Sequence, residues 1–185
     1  MSLPYDRASL VSRMESGFLP EWVFFWGHTP AGPGTLGKEC LSQWYPARFE
    51  VRGQSFATAE HFMMHGKATL FGDDDAARAI LGSTDPAEVK AMGRAVRNYD
   101  DARWEAARFA VVVEGNTAKF SQDPRLRAFL LETKDAVLVE AAPRDTIWGI
   151  GLGASNPLAR TPTRWRGRNL LGFALMAARD AIRAA

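Results

Sequence analysis

The sequence predicts an α+β fold, a mostly helical single domain with a few short strands. Three observations carry this. Several stretches of helical length open on Asp, Thr or a first-turn Pro and repeat apolar residues at helical spacing. Two apolar runs, residues 22–26 and 136–139, are too short for helices and rich in aromatic or branched side chains. No repeat, low-complexity tract or linker divides the 185 residues, a length that suits one domain spanning the whole chain.

Residues 6–17 read as a peripheral N-terminal helix, with Asp6 as cap, Leu10, Val11 and Met14 on one face and Gly17 as its stop. The strand at residues 22–26 then opens into a Gly- and Pro-rich loop over residues 27–37. Residues 49–56 alternate as a strand pair with a turn at Arg52-Gly53. Thr58 or Ser55 can cap the next helix, residues 59–71, which Gly72 ends. Further helices are expected at residues 73–81, 86–96, 100–120 and 123–133, where Pro86 and Pro124 sit at first-turn positions. After the buried run 136–139, residues 152–168 are irregular, and the last helix covers residues 170–184 with Leu171, Leu175, Met176 and Ala178 as its buried stripe.

Composition narrows the function more by exclusion than by indication. A formal charge of +2 gives no electrostatic case for nucleic acid or a lipid surface. The single Cys40 makes no internal disulfide, supplies no metal set and reads as a small apolar side chain. With no leader pattern and no long apolar run, the chain reads as cytoplasmic and independent of membranes.

The stretch from Val139 to Gly151 concentrates chemistry: Glu140, Arg144, Asp145 and Trp148 leave a strand through a turn, and Gly149 and Gly151 let the backbone approach whatever the indole covers. Read alone, Trp148 could equally plug the core and Asp145 cap the turn. On the helix of residues 59–71, positions seven apart turn by about 700°, so Glu60 and Lys67 share a face roughly 10.5 Å apart, with Met63 and Met64 between them. An acid and a base straddling soft apolar side chains can hold the two ends of a polar ligand, although solvated charges at the margins of an amphipathic helix give the same pattern. His61 and His65 are spaced for one metal but lack a third ligand, so no metal is expected. Lys119, near the end of its helix, is explained by the helix dipole without a function. The glycines at 149, 151 and 153 match no dinucleotide or phosphate-loop fingerprint.

Together Phe25-Trp-Gly27, Thr58-Ala-Glu-His-Phe-Met-Met64, Lys67-Ala68, Asn116-Thr-Ala-Lys-Phe120, Val139-Glu140, Asp145-Thr-Ile-Trp-Gly-Ile-Gly151 and Gly167-Arg-Asn-Leu-Leu-Gly172 resemble the NADAR superfamily, in order, over about residues 24–179. The pattern is most similar to its YbiA-like branch. The resemblance implies an N-glycosidase. In that branch the substrates are phosphoribosylated aminopyrimidine intermediates of riboflavin synthesis, and in other branches ADP-ribose is removed from modified guanine. It places Glu60, Lys67, Asp145 and Trp148 on the family's polar site positions, and raises Trp104, Lys119, Glu140 and Asn169 as supports of the pocket wall beside Gly149.

The chemistry of such a reaction fits these residue types. Breaking a ribosyl C–N bond builds positive charge on the sugar, which a carboxylate stabilises while a second group protonates the departing base. Glu60 and Asp145 take those tasks. Trp148 offers a flat face to the base, and Lys67 either binds phosphate or attacks the anomeric carbon as an amine. No cofactor is implied, and the partner is a small phosphoribosyl or ADP-ribosyl molecule. Nucleic acid enters only if the substrate is ADP-ribosylated guanine, and a non-catalytic ADP-ribose or NAD binding module is the reading from another class. Oligomeric state, the base removed and the identity of the acid stay open.

Overall fold

A computed structural model of the chain describes residues 5–30, 32 and 34–185; residues 1–4 of the expected N-terminal segment and positions 31 and 33 of the Gly/Pro loop lie outside the described residues. The elements are α1 (Arg7–Glu15), β1 (Trp22–Phe25), β2 (Phe49–Val51), β3 (Gln54–Phe56), α2 (Ala59–Leu70), α3 (Asp74–Gly82), α4 (Pro86–Arg94), α5 (Asp101–Gln122), α6 (Pro124–Glu132), β4 (Val137–Glu140) and α7 (Leu170–Ala184). This is the mostly helical α+β fold with few short strands that the sequence predicts.

Six helices begin where a short polar side chain accepts a first-turn N–H: Asp6, Thr58, Asp73, Asp85, Asp100 and Asp123 are the N-caps of α1 to α6. Asp73, Asp100 and Asp123 therefore stand just outside the helices the sequence reading would start on them. Thr58, and not Ser55, caps α2. Helix α4 stops at Arg94, short of the expected residue 96, and α5 runs to Gln122, where Asp123 closes it and opens α6. A 3-10 turn at Lys38–Leu41 follows the Gly/Pro loop, which the sequence does not predict.

β2 and β3 form the expected hairpin, with Arg52 (φ 51) and Gly53 (φ 76) both left-handed, as a tight hairpin turn demands. The other two strands are far apart in the chain. β1 and β4 pair in parallel, Trp22 opposite Val137 and Phe25 opposite Glu140, and the crossover between them carries helices α2 to α6. Val137, Leu138 and Val139 are buried and join the main apolar core with Leu171, Phe173, Leu175 and Met176 of α7.

α7 is sewn to β4. Gly172 lies so close that a Cβ there would sit 2.1 Å from the Leu138 carbonyl oxygen, so only glycine fits the contact. Asn169, left-handed at φ 55 and fully buried, donates its amide to the Leu138 carbonyl at 2.9 Å and accepts the Glu140 N–H at 2.9 Å. Its side chain thereby completes the free edge of β4 and fixes the residue at the strand's end. Among the described residues, no helix is long and apolar enough to cross a membrane.

Candidate active site

Glu60 enters the protein through the first turn of α2. Its own N–H donates to the Gln43 carbonyl at 2.9 Å, which locks the helix start against the segment that carries Trp44. The side chain is 3% exposed, and its Oε1 is sealed from water with no hydrogen-bond partner. Burial pushes the carboxyl up to about 7, against the pull of the Lys90 ammonium and the Trp44 side-chain hydrogen bond, with Asp145 adding to the rise.

Glu140 reaches the same place from the last position of β4. The residue as a whole is half-buried, but its Oε2 is sealed and unpartnered. Burial, then the Asp145 carboxylate, push it up to about 8; Lys90 opposes this and Glu60 adds to it. Asp145 stands beyond the turn, where its Oδ1 accepts the N–H groups of Ile147 at 2.8 Å, Trp148 at 2.8 Å and Gly149 at 3.4 Å. The turn is tight around Gly149: a Cβ there would lie 2.9 Å from the Glu140 carbonyl oxygen and 3.1 Å from that of Asp145. Three carboxyl groups from α2, β4 and the following loop are thus within electrostatic reach of one another, and α4 faces them with Lys90 and Arg94.

Lys67 lies on the same face of α2, further along, and is buried. Its ammonium donates to the Gly93 carbonyl at 2.7 Å and lies 4.1 Å from the centre of the Tyr99 ring and 5.8 Å from that of Trp104. Burial lowers its pKa, with Asp101 pulling the other way. Neither Glu60 nor Lys67 is a solvated margin of an amphipathic helix. Met63 and Met64 between them are buried in the core and offer no platform to a ring. Trp148 is half-buried, packs against the main core and is tied to Asp145 through its N–H. The acids Glu60, Glu140 and Asp145 therefore form one group, and Lys67 of α2 forms another with Tyr99 and with Trp104 of α5.

The wall residues have definite tasks. Asn169 positions β4. Lys119, 1% exposed, donates to the carbonyls of Cys40 at 2.7 Å and Ser42 at 2.8 Å, and burial pushes its amine down to about 7. It does not serve the end of its own helix, as the dipole argument has it; it anchors the turn that leads to Trp44. Burial pushes the Cys40 thiol up to about 12, so it is no nucleophile. His61 is held by Thr58 and the Ser83 carbonyl. Among the described residues no set of three or more His, Cys, Asp or Glu side chains is placed to hold a metal.

Sequence reasoning misses Trp44, Lys90, Arg94 and Tyr99. The four-residue spacing of Lys90 and Arg94 on one helix face is a signal for the cations; Trp44 and Tyr99 carry none, because only tertiary packing brings them in. A hollow of about 390 Å³ lies between the Gly/Pro loop, Tyr45 and Arg125, and none of the carboxylates lines it.

Comparison with known proteins gives a consistent picture. The family model described as NADAR domain matches residues 24–183. The chain is 41% identical to N-glycosidase R617 of Acanthamoeba polyphaga mimivirus over 165 residues, covering 86% of this chain and 95% of that one. It is 31% identical to N-glycosidase YbiA of Escherichia coli (strain K12) over 133 residues, covering 72% of this chain and 74% of the relative. The NMR structure of the E. coli protein YbiA superimposes with a TM-score of 0.70 at 26% identity, covering 90% of this chain and 88% of that chain.

Proposed function

The chain belongs to the NADAR domain family, and from that premise we propose that it is an N-glycosidase that hydrolyses the ribosyl C–N bond of phosphoribosylated aminopyrimidine intermediates of riboflavin biosynthesis, in the cytoplasm. The observation that carries the reading is the acid group itself. Two carboxyls held above their ordinary range stand beside a third whose oxygen is pinned by backbone N–H groups. N-glycoside cleavage asks for a proton donor at neutral pH and a fixed negative charge near the sugar.

Glu60 supplies the proton that the departing base nitrogen takes as the C1′–N bond breaks. Asp145 stabilises the positive charge that develops at C1′. Trp148 stacks on the base, and Glu140, Trp104, Lys119, Asn169 and Gly149 hold the wall. Lys67 contacts the phosphate or attacks the anomeric carbon of the opened ribose.

The test is to incubate purified protein with the phosphoribosylated aminopyrimidine and follow ribose 5-phosphate. Release by the native protein and its loss in Glu60→Gln is expected; no release, or equal release by the variant, rejects the assignment. DNA carrying ADP-ribosylated guanine serves as the parallel substrate, and release of ADP-ribose from it alone would assign the enzyme to that chemistry instead.

A further inference from the structure

We infer that Lys90 of α4, seated against the Trp44 indole, is the residue that receives the phosphate of the substrate, a task that thereby leaves Lys67. The identity of the phosphorylated substrate rests on the glycosidase reading; the placement of the cation does not.

Contacts along the chain bring Lys90 beside Glu60. The Ser83 carbonyl meets the His61 ring at 3.1 Å, and further on the Gly93 carbonyl accepts the Lys67 ammonium at 2.7 Å. A Cβ on Gly93 would collide with the Met64 sulfur, so α4 lies directly on α2 there. The segment from Ser83 to Gly93 thus runs in the same sense as α2. Lys90, one turn before Gly93, comes level with the first turns of α2, where Glu60 sits. A third segment closes the arrangement. The Gln43 carbonyl accepts the Glu60 N–H at 2.9 Å, and the ring of the next residue, Trp44, has its centre 5.5 Å from the Lys90 nitrogen. His28 lies against the same indole with ring centres 5.5 Å apart, and Lys119 holds the turn before it through the Cys40 and Ser42 carbonyls. The half-buried indole therefore meets both groups, Lys90 at its ring and Glu60 through its side-chain hydrogen bond.

Lys90 also differs from the other lysines of the site in what its charge is doing. Lys67 donates to Gly93 and lies 4.1 Å from the centre of the Tyr99 ring, and Lys119 donates to two carbonyls. Lys90 is half-buried yet makes no hydrogen bond and no ion pair with any described residue. Arg94, four residues on, is exposed. A molecule lying on the indole would meet an uncommitted cation on one side and, on the other, a carboxyl whose Oε1 is sealed and unpartnered. A phosphoribosyl compound has matching ends, an anionic phosphate and a nitrogen that must be protonated as it leaves. Lysine binds phosphate as a point charge and donor, without the fixed fork that arginine needs.

The test is calorimetric titration of the full-length protein with ribose 5-phosphate, ribose and ADP-ribose. Native protein should bind ribose 5-phosphate and not ribose. Lys90→Met should weaken ribose 5-phosphate by about 10- to 100-fold, and Lys90→Arg should restore most of that loss. In turnover, Lys90→Met should raise KM for the phosphorylated aminopyrimidine riboside and leave KM for the dephosphorylated one unchanged. Were Lys90 only a counter-charge to Glu60 and Glu140, its removal would move the alkaline limb of kcat/KM to higher pH and keep the preference for the phosphorylated substrate; that result overturns the proposal. Ribose 5-phosphate bound as tightly by Lys90→Met as by native protein overturns it too, as does a native protein that binds neither phosphorylated ligand. If Lys90→Met does not fold, the Lys90 side-chain resonance of native protein decides: a shift on adding ribose 5-phosphate supports the proposal, and none overturns it. Lys90-dependent binding in a protein that cleaves no N-riboside would remove the glycosidase reading and leave the phosphate site standing. Binding of ADP-ribose alone, lost in Lys90→Met, would keep Lys90 as the phosphate ligand and assign it to a diphosphate.

Discussion

Lys119 and Glu60 are almost equally deep, 1% and 3% exposed, yet the protein treats them in opposite ways. The Lys119 nitrogen finds two carbonyl oxygens, and a neutral amine has two N–H groups to give them. Its burial is complete and satisfied, and what it secures is the turn before Trp44. Glu60 keeps one oxygen sealed and unpartnered, as Glu140 does at the end of β4. Polar burial with every partner present is architecture; polar burial with a partner missing stores reactivity at a cost in stability.

The sharpest way to break that comparison is at Glu60. Glu60→Gln keeps the shape and removes the proton donor, so cleavage should fall by about 10²- to 10⁴-fold. The thermal midpoint should stay level or rise, because an ionisable group leaves a dry site. A variant that instead loses most of its stability would make Glu60 a structural residue like Lys119.

Lys119→Met should give the reverse pattern. Two buried carbonyls lose their donor, each at a cost of about 1–3 kcal/mol, and calorimetry should show a midpoint lower by roughly 5–15 °C. The folded fraction should still cleave substrate. Loss of activity without loss of stability would move Lys119 from the scaffold into the chemistry.

Stability against pH should separate the two regions in one titration. The glutamates are raised in the folded state, so they retain protons that the unfolded chain has lost; their contribution is full below about pH 4.3 and declines as pH rises toward about 7 to about 8. Lys119 is lowered to about 7, so its contribution is present above about pH 10.4 and declines as pH falls toward about 7. Native protein should be least stable near neutrality, by these groups, in urea melts taken across the range. Glu60→Gln and Glu140→Gln should flatten the acid-side slope and Lys119→Met the alkaline one. Slopes that survive those substitutions would assign them to other groups.

What was legible in the sequence divides along the same line between local and distant partners. The helix starts at Asp6 and Thr58 are readable because a cap and its target N–H lie within a turn. The hairpin at Arg52-Gly53 was readable for the same reason. The parallel pairing of β1 with β4 was not, since no local pattern tells a strand which distant edge it meets. In the site, Glu60 and Asp145 stand out by residue type and motif, and Glu140 stands out as part of the 139–151 stretch, with the resemblance placing it on the pocket wall. Its sealed oxygen comes from tertiary packing, which residue spacing along β4 does not reveal. Lys119 reads as a dipole cap in the sequence because its true partners lie 79 and 77 residues away.

The smallest effect expected is at Trp148, and it refines the contrast by testing a side chain that is neither sealed nor free. The indole is half-buried against the core, while the tie to Asp145 runs through the backbone N–H and survives substitution. Trp148→Leu therefore keeps the carboxylate in place and removes only the flat face. Stacking of that kind is worth about 0.5–1.5 kcal/mol, so KM should rise by roughly two- to tenfold with kcat nearly unchanged. The expected split follows from the placement: a group that binds the base equally in the ground and transition states alters KM alone. A fall in kcat comparable to that of Glu60→Gln would instead put the indole among the groups that hold the three acids.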